Sequence, residues 1–385
     1  MENTRQKIEI ADIFRRFEPG YHQQYIMSHE QQKAFNAIVY CRSQELGGHT
    51  LTCNKCGYVQ HAYNSCRNRH CPKCQYLKQI MWIDKLKSRL VPAKYFHIVF
   101  TIPAAMHKLF YANQDICYGL LMRSASEAVL KAGENPSFLG AKTGCVAVLH
   151  TWGQALTYHP HVHLLVPAGG FDSDYMEWIR SERNFFAPVK ALSILFRGIF
   201  AENIYKHEKD LKTPDSIERI DAAFLRSLIY RTSWNVYAKP ALNNAEKVIE
   251  YLGRYTHRVA ISNARIVDVV NDKVLFRWKD YRHGGRTKIM KVDALEFINR
   301  FMMHVLPCGF YKIRYYGIFA NKLCNVMLDT YLALNDKEMA LSELEGKNWQ
   351  EIVKETFGYD PFYCKNCKTG RMISQVNIDA NARAA

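Results

Sequence analysis

The sequence predicts an α+β fold, in which helices pack on a mainly antiparallel sheet and a small cysteine-rich domain precedes it. Residues 95–103 are β-branched and aromatic and end in a proline, as expected of a buried strand. Residues 144–152 and 161–170 have the same character and flank a short turn, so we expect two antiparallel neighbours in one sheet. Around these segments, apolar residues follow a helical spacing.

The remaining elements follow from the same periodicities. In chain order they are a helix over residues 29–44, a helix with a basic face over 75–91, a long helix up to about residue 131, helical spacing over 187–254, and strands over 258–270 and 273–281. A chain of 385 residues has room for two or three domains. We predict an N-terminal helical and zinc-binding domain over residues 1–92, a catalytic domain over 93–320 and a helical tail over 321–385.

The charge of the chain indicates a polyanionic partner. Lysine and arginine total 52 against 36 acidic residues, which gives a formal net charge of +16. Such an excess raises the local concentration of nucleic acid around a protein. Charge alone does not distinguish a DNA-binding protein from a basic enzyme with another substrate.

The chain start is charged and lacks the apolar core of a secretory signal, and no stretch is apolar over the roughly 18 residues that a membrane span needs. We therefore expect a cytoplasmic protein without a membrane partner. In a reducing compartment the twelve cysteines should be metal ligands or buried thiols, because disulfides are rare there.

Two C-x-x-C pairs in the N-terminal region predict a structural zinc site. Cys53 with Cys56 and Cys71 with Cys74 have a spacing that lets four thiolates close a tetrahedron around one Zn²⁺. The alternative is four unrelated thiols. No open coordination position or general base is evident, so we expect this zinc to serve folding and DNA docking.

Further cysteines and histidines leave the number of zinc ions open. A second zinc could use nearby side chains, or these could pack around the first site; they are Cys41, His49, Cys66 and His70. Near the C-terminus, Cys364 and Cys367 form another C-x-x-C pair that no second pair follows. This half-site could borrow Cys308 or Cys324, bind zinc poorly, or be what remains of a zinc ribbon.

A histidine pair predicts a second kind of metal site. His161 and His163 flank Val162 in a predicted strand, so both imidazoles lie on one face and can converge on one divalent cation. The alternative is a pair of histidines packed at a sheet surface. Two histidines under-coordinate a cation, and a third ligand should come from the adjoining strand or the tyrosine helix. Gln154 is the candidate, although a turn glutamine without a metal is as good an interpretation.

Two tyrosines supply candidate nucleophiles. Tyr251 and Tyr255 are four residues apart in a helical pattern, which places both phenols on one face. The alternative is an aromatic stripe in the core. A phenol with a pKa near 10 attacks a phosphodiester only if the developing negative charge is stabilised, and Mg²⁺ or Mn²⁺ held by His161 and His163 would do so.

These motifs together resemble the rolling-circle insertion-sequence transposases of the HUH nuclease superfamily. His161-Val162-His163 matches the histidine–hydrophobe–histidine motif, YLGRYTHRVAISNARI resembles the two-tyrosine motif, and the N-terminal cysteines resemble the zinc-binding domain. The resemblance covers residues 41–321. It implies an HUH nuclease sheet with the histidines on a central strand, cleavage to a 5′-phosphotyrosine by Tyr251 or Tyr255, and transfer of a single strand.

A basic face should bind single-stranded or locally melted element ends, with tyrosines between the cations for base stacking. Its arginines are Arg254, Arg258, Arg265, Arg282, Arg286 and Arg314. Two other functions fit parts of the sequence. A plasmid replication initiator or relaxase of the same superfamily shares the chemistry, and a non-catalytic zinc-dependent regulator explains only the charge and the cysteines. The sequence does not predict the oligomeric state.

Overall fold

The computed structural model describes residues 8–242, 249, 253, 260–339 and 341–380. The helices are α1 (Ile10–Gln24), α2 (His29–Tyr40), α3 (Gln75–Lys87), α4 (His107–Ala112), α5 (Gln114–Glu134), α6 (Val189–Tyr205), α7 (Ala222–Tyr230), α8 (Ala294–Met302), α9 (Cys324–Asn335) and α10 (Trp349–Phe357). The strands are β1 (Gly48–Cys53), β2 (Val59–Tyr63), β3 (Tyr95–Thr101), β4 (Gly144–Trp152), β5 (Tyr158–Pro167), β6 (Gly169–Phe171), β7 (Trp178–Arg180), β8 (Asn235–Leu242), β9 (Ile266–Val270), β10 (Lys273–Asp280), β11 (Arg286–Asp293), β12 (Ile313–Gly317) and β13 (Met372–Ile378).

A five-stranded sheet in the order β12-β4-β5-β3-β8 forms the centre of the fold, and every neighbouring pair in it is antiparallel. The predicted α+β class is confirmed. β4 and β5 are adjacent, as their short connection predicts. Their register places His150 directly opposite His161.

The two faces of this sheet have different partners because alternate residues of each strand point to opposite sides. On one face, Phe100 and Leu164 pack under the helices α4 to α7 in the main core. On the other face, Tyr95 and Leu165 pack with the end of α3 and with Ile249. The histidines lie on this second face, further along the strands.

A second sheet, β11-β10-β9, packs with the first two helices of the chain. Phe14 of α1 stacks on Phe35 of α2 with ring centroids 5.0 Å apart and meets Phe301 of α8 edge-on at 5.3 Å. Residues from the predicted first and second domains therefore share one core. That residues 92 and 320 separate independently folding domains stays a prediction.

A third sheet joins the two ends of the chain. β1 lies between β2 and β13, and its register with β13 pairs Gly48 with Ile378 and Cys53 with Met372. The tail that was predicted as helical thus contains α9 and α10 and also an antiparallel strand. That strand pairs with residues more than three hundred positions earlier, which no local pattern reveals.

The largest departure from the sequence-based elements is β8. Helical spacing predicts helix over residues 187–254. In the structure α6 ends at Tyr205, α7 ends at Tyr230, and residues 235–242 form an edge strand against β3. Pro240 is compatible with an edge strand because its missing N–H is not needed by a second neighbour. Residues 258–265 were predicted as strand; within the part that is described, strand β9 begins only at Ile266.

Within the described residues, no helix is both long enough and apolar enough to cross a membrane.

Candidate metal centre and active site

Three histidines converge on the second face of the central sheet. His161 and His163 point to the same side of β5, as the alternation predicts, and His150 faces them from β4. The three ligand nitrogens all lie within 4.8 Å of one another. This separation is suited to three imidazoles around a single cation, and the three residues come from two adjacent strands whose hydrogen bonds fix their positions.

Hydrogen bonds orient two of these rings. His161 Nδ1 is 2.7 Å from the backbone oxygen of His159, so it carries the proton and leaves the Nε2 lone pair as the ligand. His163 Nδ1 is 2.8 Å from Nε2 of His97, and the two rings are parallel to within 2°. A donor bond from His163 Nδ1 to His97 would likewise present Nε2 of His163 to a metal.

Burial keeps the cluster neutral. It lowers the pKa of His161 to about 4 and holds the pKa values of His150 and His163 well below their usual range. Each neighbouring imidazole lowers them further by repulsion between the charged forms. Neutral imidazoles have the free electron pair that a metal requires, so the donor set fits a divalent cation.

Sequence reasoning missed His150 and His97. It expected a third ligand from the adjoining strand, and His150 is in that strand, but Gln154 was chosen instead. The signal was available in the register: once Val148 is paired with His163, antiparallel pairing places His150 opposite His161 on the same face. His97 is separated from the motif by 66 residues and required the β3–β5 pairing.

Gln154 lies in the turn after β4. Its side-chain oxygen is 3.5 Å from the backbone nitrogen of Lys279, and its own backbone oxygen accepts a bond of 2.7 Å from Arg265. His150 takes the position of the third ligand in the cluster, and the assignment of Gln154 stays a prediction. Gln154 forms part of the wall of a cleft beside the site.

The cleft has a volume of about 290 Å³ and lies between the end of β4 and the second sheet. Its lining is aromatic and basic, and consists of Trp152, Gln154, Ala260, Ile261, Ser262, Arg265, Arg277, Trp278, Lys279, Tyr281 and Thr287. Trp152 stacks on His150 with ring centroids 4.9 Å apart, so the cleft begins where the histidine cluster ends. Aromatic faces next to cations are the features that bind unpaired bases and their phosphates.

The candidate nucleophiles Tyr251 and Tyr255, with Arg254 and Arg258, lie outside the described residues. Two residues near them in the sequence, Ile249 and Gly253, are described. Ile249 is 1% exposed and packs with Leu165 on the histidine face, and Gly253 lies against the side chain of Ile83 in α3.

The other predicted DNA-binding arginines are dispersed. Arg265 lines the cleft, and Arg286 is exposed at the start of β11. Arg314 of β12 is directly opposite Ala147 of β4, whose side chain lies on the helix-covered face of the sheet. Arg314 therefore lies on the face opposite to the histidines. The side chain of Arg282 is outside the described part of the structure.

Eight of the twelve cysteines form two clusters of four, and the grouping differs from the predicted one. The first cluster contains Cys41, Cys66, Cys71 and Cys74, and the second contains Cys53, Cys56, Cys364 and Cys367. The two N-terminal C-x-x-C pairs thus belong to different clusters: one ends β1, whereas the other follows β2 and leads into α3. Each cluster has the composition of a closed structural zinc site.

The other proposed zinc ligands are not in either cluster. His49 is the second residue of β1, where it pairs with Ala62 on one side and Asn377 on the other. His70 is buried next to Arg69, and burial lowers its pKa to about 3. Cys308 is exposed, and Cys324 is close to the backbone oxygen of Arg89. The C-terminal pair finds its partners in Cys53 and Cys56 instead.

Comparison with known proteins agrees with these features. A family model described as "Putative transposase" matches residues 144–326, and one described as "Transposase zinc-binding domain", of the IS91 type, matches residues 13–102. The chain is 43% identical over 375 residues to "Putative transposase y4qJ" of Sinorhizobium fredii, which covers 95% of this chain and 94% of that protein. It is 27% identical over 363 residues to "Transposase for insertion sequence element IS801" of Pseudomonas savastanoi pv. phaseolicola, covering 89% and 85% of the two chains. No solved structure is significantly similar.

The histidine strand and the tyrosine segment both lie inside the first matched region, and the first cysteine cluster lies inside the second. The family expected from the sequence motifs is confirmed. The chain therefore belongs to the insertion-sequence transposases of the IS91 type.

Proposed function

We propose that this transposase cuts one DNA strand with a tyrosine and transfers it through a 5′-phosphotyrosine, in a rolling-circle type of transposition. The observation that carries the proposal is the cluster of His150, His161 and His163, whose ligand nitrogens lie within 4.8 Å of one another. A DNA-binding protein without catalysis has no use for three buried, neutral imidazoles converging on one point.

The three histidines would hold a divalent cation, Mg²⁺ or Mn²⁺. When bound, such a cation supplies Lewis-acid polarisation of the scissile phosphate. The donor set favours Mn²⁺, because Mg²⁺ prefers oxygen ligands whereas imidazole nitrogen binds transition metals more strongly. His97 is a positioning residue that would fix the ring of His163 through the 2.8 Å bond.

Tyr251 or Tyr255 is the proposed nucleophile. The phenol gives up its proton to solvent as its oxygen attacks phosphorus, the bond from phosphorus to the 3′ oxygen breaks, and that oxygen takes up a proton from solvent and leaves as a hydroxyl. The DNA 5′ end is then joined to the tyrosine, and the bond energy is retained for strand transfer. Ile249 belongs to the same buried cluster as Leu165, which is two residues from His163, and this proximity in sequence and in the core supports Tyr251 or Tyr255 as the nucleophile.

The proposed substrate is single-stranded or locally melted DNA at the element ends. The cleft beside His150 offers Trp152, Trp278 and Tyr281 for stacking, with Arg265 and Arg277 for phosphates. We expect the reaction to take place in the cytoplasm, where reduced thiolates are available for zinc.

Cleavage of a labelled single-stranded oligonucleotide from an element end tests the proposal. With Mn²⁺, wild-type protein should form a covalent DNA adduct that survives denaturation, and chelation of the metal should abolish it. His150→Leu should lose the adduct, while His207→Ala, which changes a half-buried histidine beyond α6, should retain it. DNA binding without any adduct would instead support a non-catalytic regulator.

A further inference from the structure

The second cysteine cluster joins the two ends of the chain. Cys53 and Cys56 follow β1, whereas Cys364 and Cys367 precede β13, and all four sulfurs lie within 4.8 Å of one another. The zinc-binding family match ends at residue 102 and the transposase match at residue 326, so the C-terminal pair lies outside both.

The sulfur separations fit a tetrahedral metal site. Four thiolates at the usual zinc–sulfur bond length of about 2.3 Å are about 3.8 Å apart along each edge of the tetrahedron. The sulfur of Cys53 is 3.7 Å from that of Cys367, and the sulfur of Cys56 is 3.6 Å from that of Cys364. Both contacts join one C-x-x-C turn, here called a knuckle, to the other. The cluster therefore needs both ends of the chain.

The two knuckles have the same local structure. The backbone nitrogen of Gly57 is 3.1 Å from the oxygen of Cys53, and that of Lys368 is 2.9 Å from the oxygen of Cys364. The residue after each pair has a positive φ, 68° at Gly57 and 56° at Lys368. The backbone nitrogen of Cys56 donates to the sulfur of Cys53 over 3.5 Å, and that of Gly370 donates to the sulfur of Cys367 over 3.2 Å.

Contacts outside the sulfurs hold the knuckles in register. The backbone nitrogen of Asn54 donates to the backbone oxygen of Arg371 over 3.0 Å, and the side-chain oxygen of Asn54 accepts from the backbone nitrogen of Arg371 over 2.8 Å. Gly370 lies so close that a Cβ there would overlap the sulfur of Cys53. The backbone is therefore shaped around the cluster on both sides.

We propose that Cys53, Cys56, Cys364 and Cys367 bind a second structural zinc ion, which fastens β13 to β1 and makes the C-terminus part of the zinc-binding unit. The site is closed, because four protein ligands complete the tetrahedron, and its role is to hold the fold together. The small apolar cluster of Leu51 and Met372 beneath it is too limited to fix the two ends alone.

Metal content of the purified full-length chain tests this proposal. In the His150→Leu background, which removes a ligand of the histidine centre, elemental analysis should find two zinc ions per chain, and one per chain once Cys364→Ser and Cys367→Ser are added. Cys308→Ser removes an exposed thiol outside both clusters and should retain two. One zinc per His150→Leu chain, or two after the two cysteine substitutions are added, would overturn the proposal.

Hydrogen exchange and thiol labelling separate this role from misfolding. In the Cys364→Ser, Cys367→Ser double variant, amides of residues 372–378 and 48–53 should lose protection while those of β4 and β5 keep theirs. In the wild type, all four cysteines should become reactive to alkylation on chelation; resistance to alkylation that only a reductant removes would mean disulfides and refute the zinc site. These measurements use no DNA, so they stand independently of the cleavage mechanism.

Discussion

Replacing His150 with leucine removes one of three imidazole ligands while keeping the space filled. His150 is 2% exposed, and its ring centroid is 4.2 Å from that of His163 and 5.3 Å from that of His161. Leucine is of similar size and has no polar atom to leave unsatisfied, so the fold should be retained.

The expected loss of metal affinity follows from the number of ligands. Removing a residue that only orients a metal ligand typically costs about 10- to 100-fold in affinity. A direct ligand should cost more, so His150→Leu should weaken Mn²⁺ binding by at least about 100-fold, or about 2.8 kcal/mol. His97→Ala removes the 2.8 Å bond to His163 and leaves all three ligands in place, so its loss of affinity should fall within the smaller range.

Mn²⁺ titration by calorimetry measures these affinities directly, and thermal unfolding in the absence of Mn²⁺ checks that each variant is folded. The order of affinity should be wild type, then His97→Ala, then His150→Leu, with the control His207→Ala equal to wild type. If the folded His150→Leu variant binds Mn²⁺ as tightly as the wild type, the assignment of the three histidines as metal ligands is wrong.

Three further predictions concern the metal, the cleft and the core. At equal concentration Mn²⁺ should give a higher rate of oligonucleotide cleavage than Mg²⁺, and the reverse order would argue against an all-imidazole donor set. Tyr281→Ala should weaken binding of single-stranded DNA in anisotropy titrations by about 1–3 kcal/mol, and Tyr281→Phe should not, because stacking uses the ring; equal loss in both variants would rule stacking out. Phe196→Ala, which leaves a void between Phe100 and Trp234, should lower the free energy of unfolding by about 3–5 kcal/mol in denaturant titration while leaving adduct yield per folded molecule unchanged; an unfolding curve that does not move would contradict the packing.

Local patterns predicted those parts of the molecule that local physics determines. The alternation in residues 161–170 placed His161 and His163 on one face, and the short turn placed β4 beside β5. The spacing of each C-x-x-C pair predicted half of a metal site. With only two residues between the cysteines, the local backbone alone holds their two sulfurs close together.

Long-range pairing decided what the sequence could not. Which knuckles meet depends on the β1–β13 pairing, so the four N-terminal cysteines were assigned to one site although they belong to two. β8 was missed because its strand conformation depends on pairing with β3. Gln154 was preferred to His150 because the residue of β4 that faces His161 is set by the β4–β5 register, which the motif alone does not give.

The central claim is that a tyrosine of this transposase becomes joined to DNA. Digesting the adduct formed with Mn²⁺ and identifying the peptide that carries the nucleotide by mass spectrometry tests it most directly. We predict a peptide containing Tyr251 or Tyr255 with a 5′-phosphate linkage, and no adduct in the Tyr251→Phe, Tyr255→Phe double variant. An adduct on any other residue, or cleavage that persists undiminished in the double variant, would contradict the mechanism.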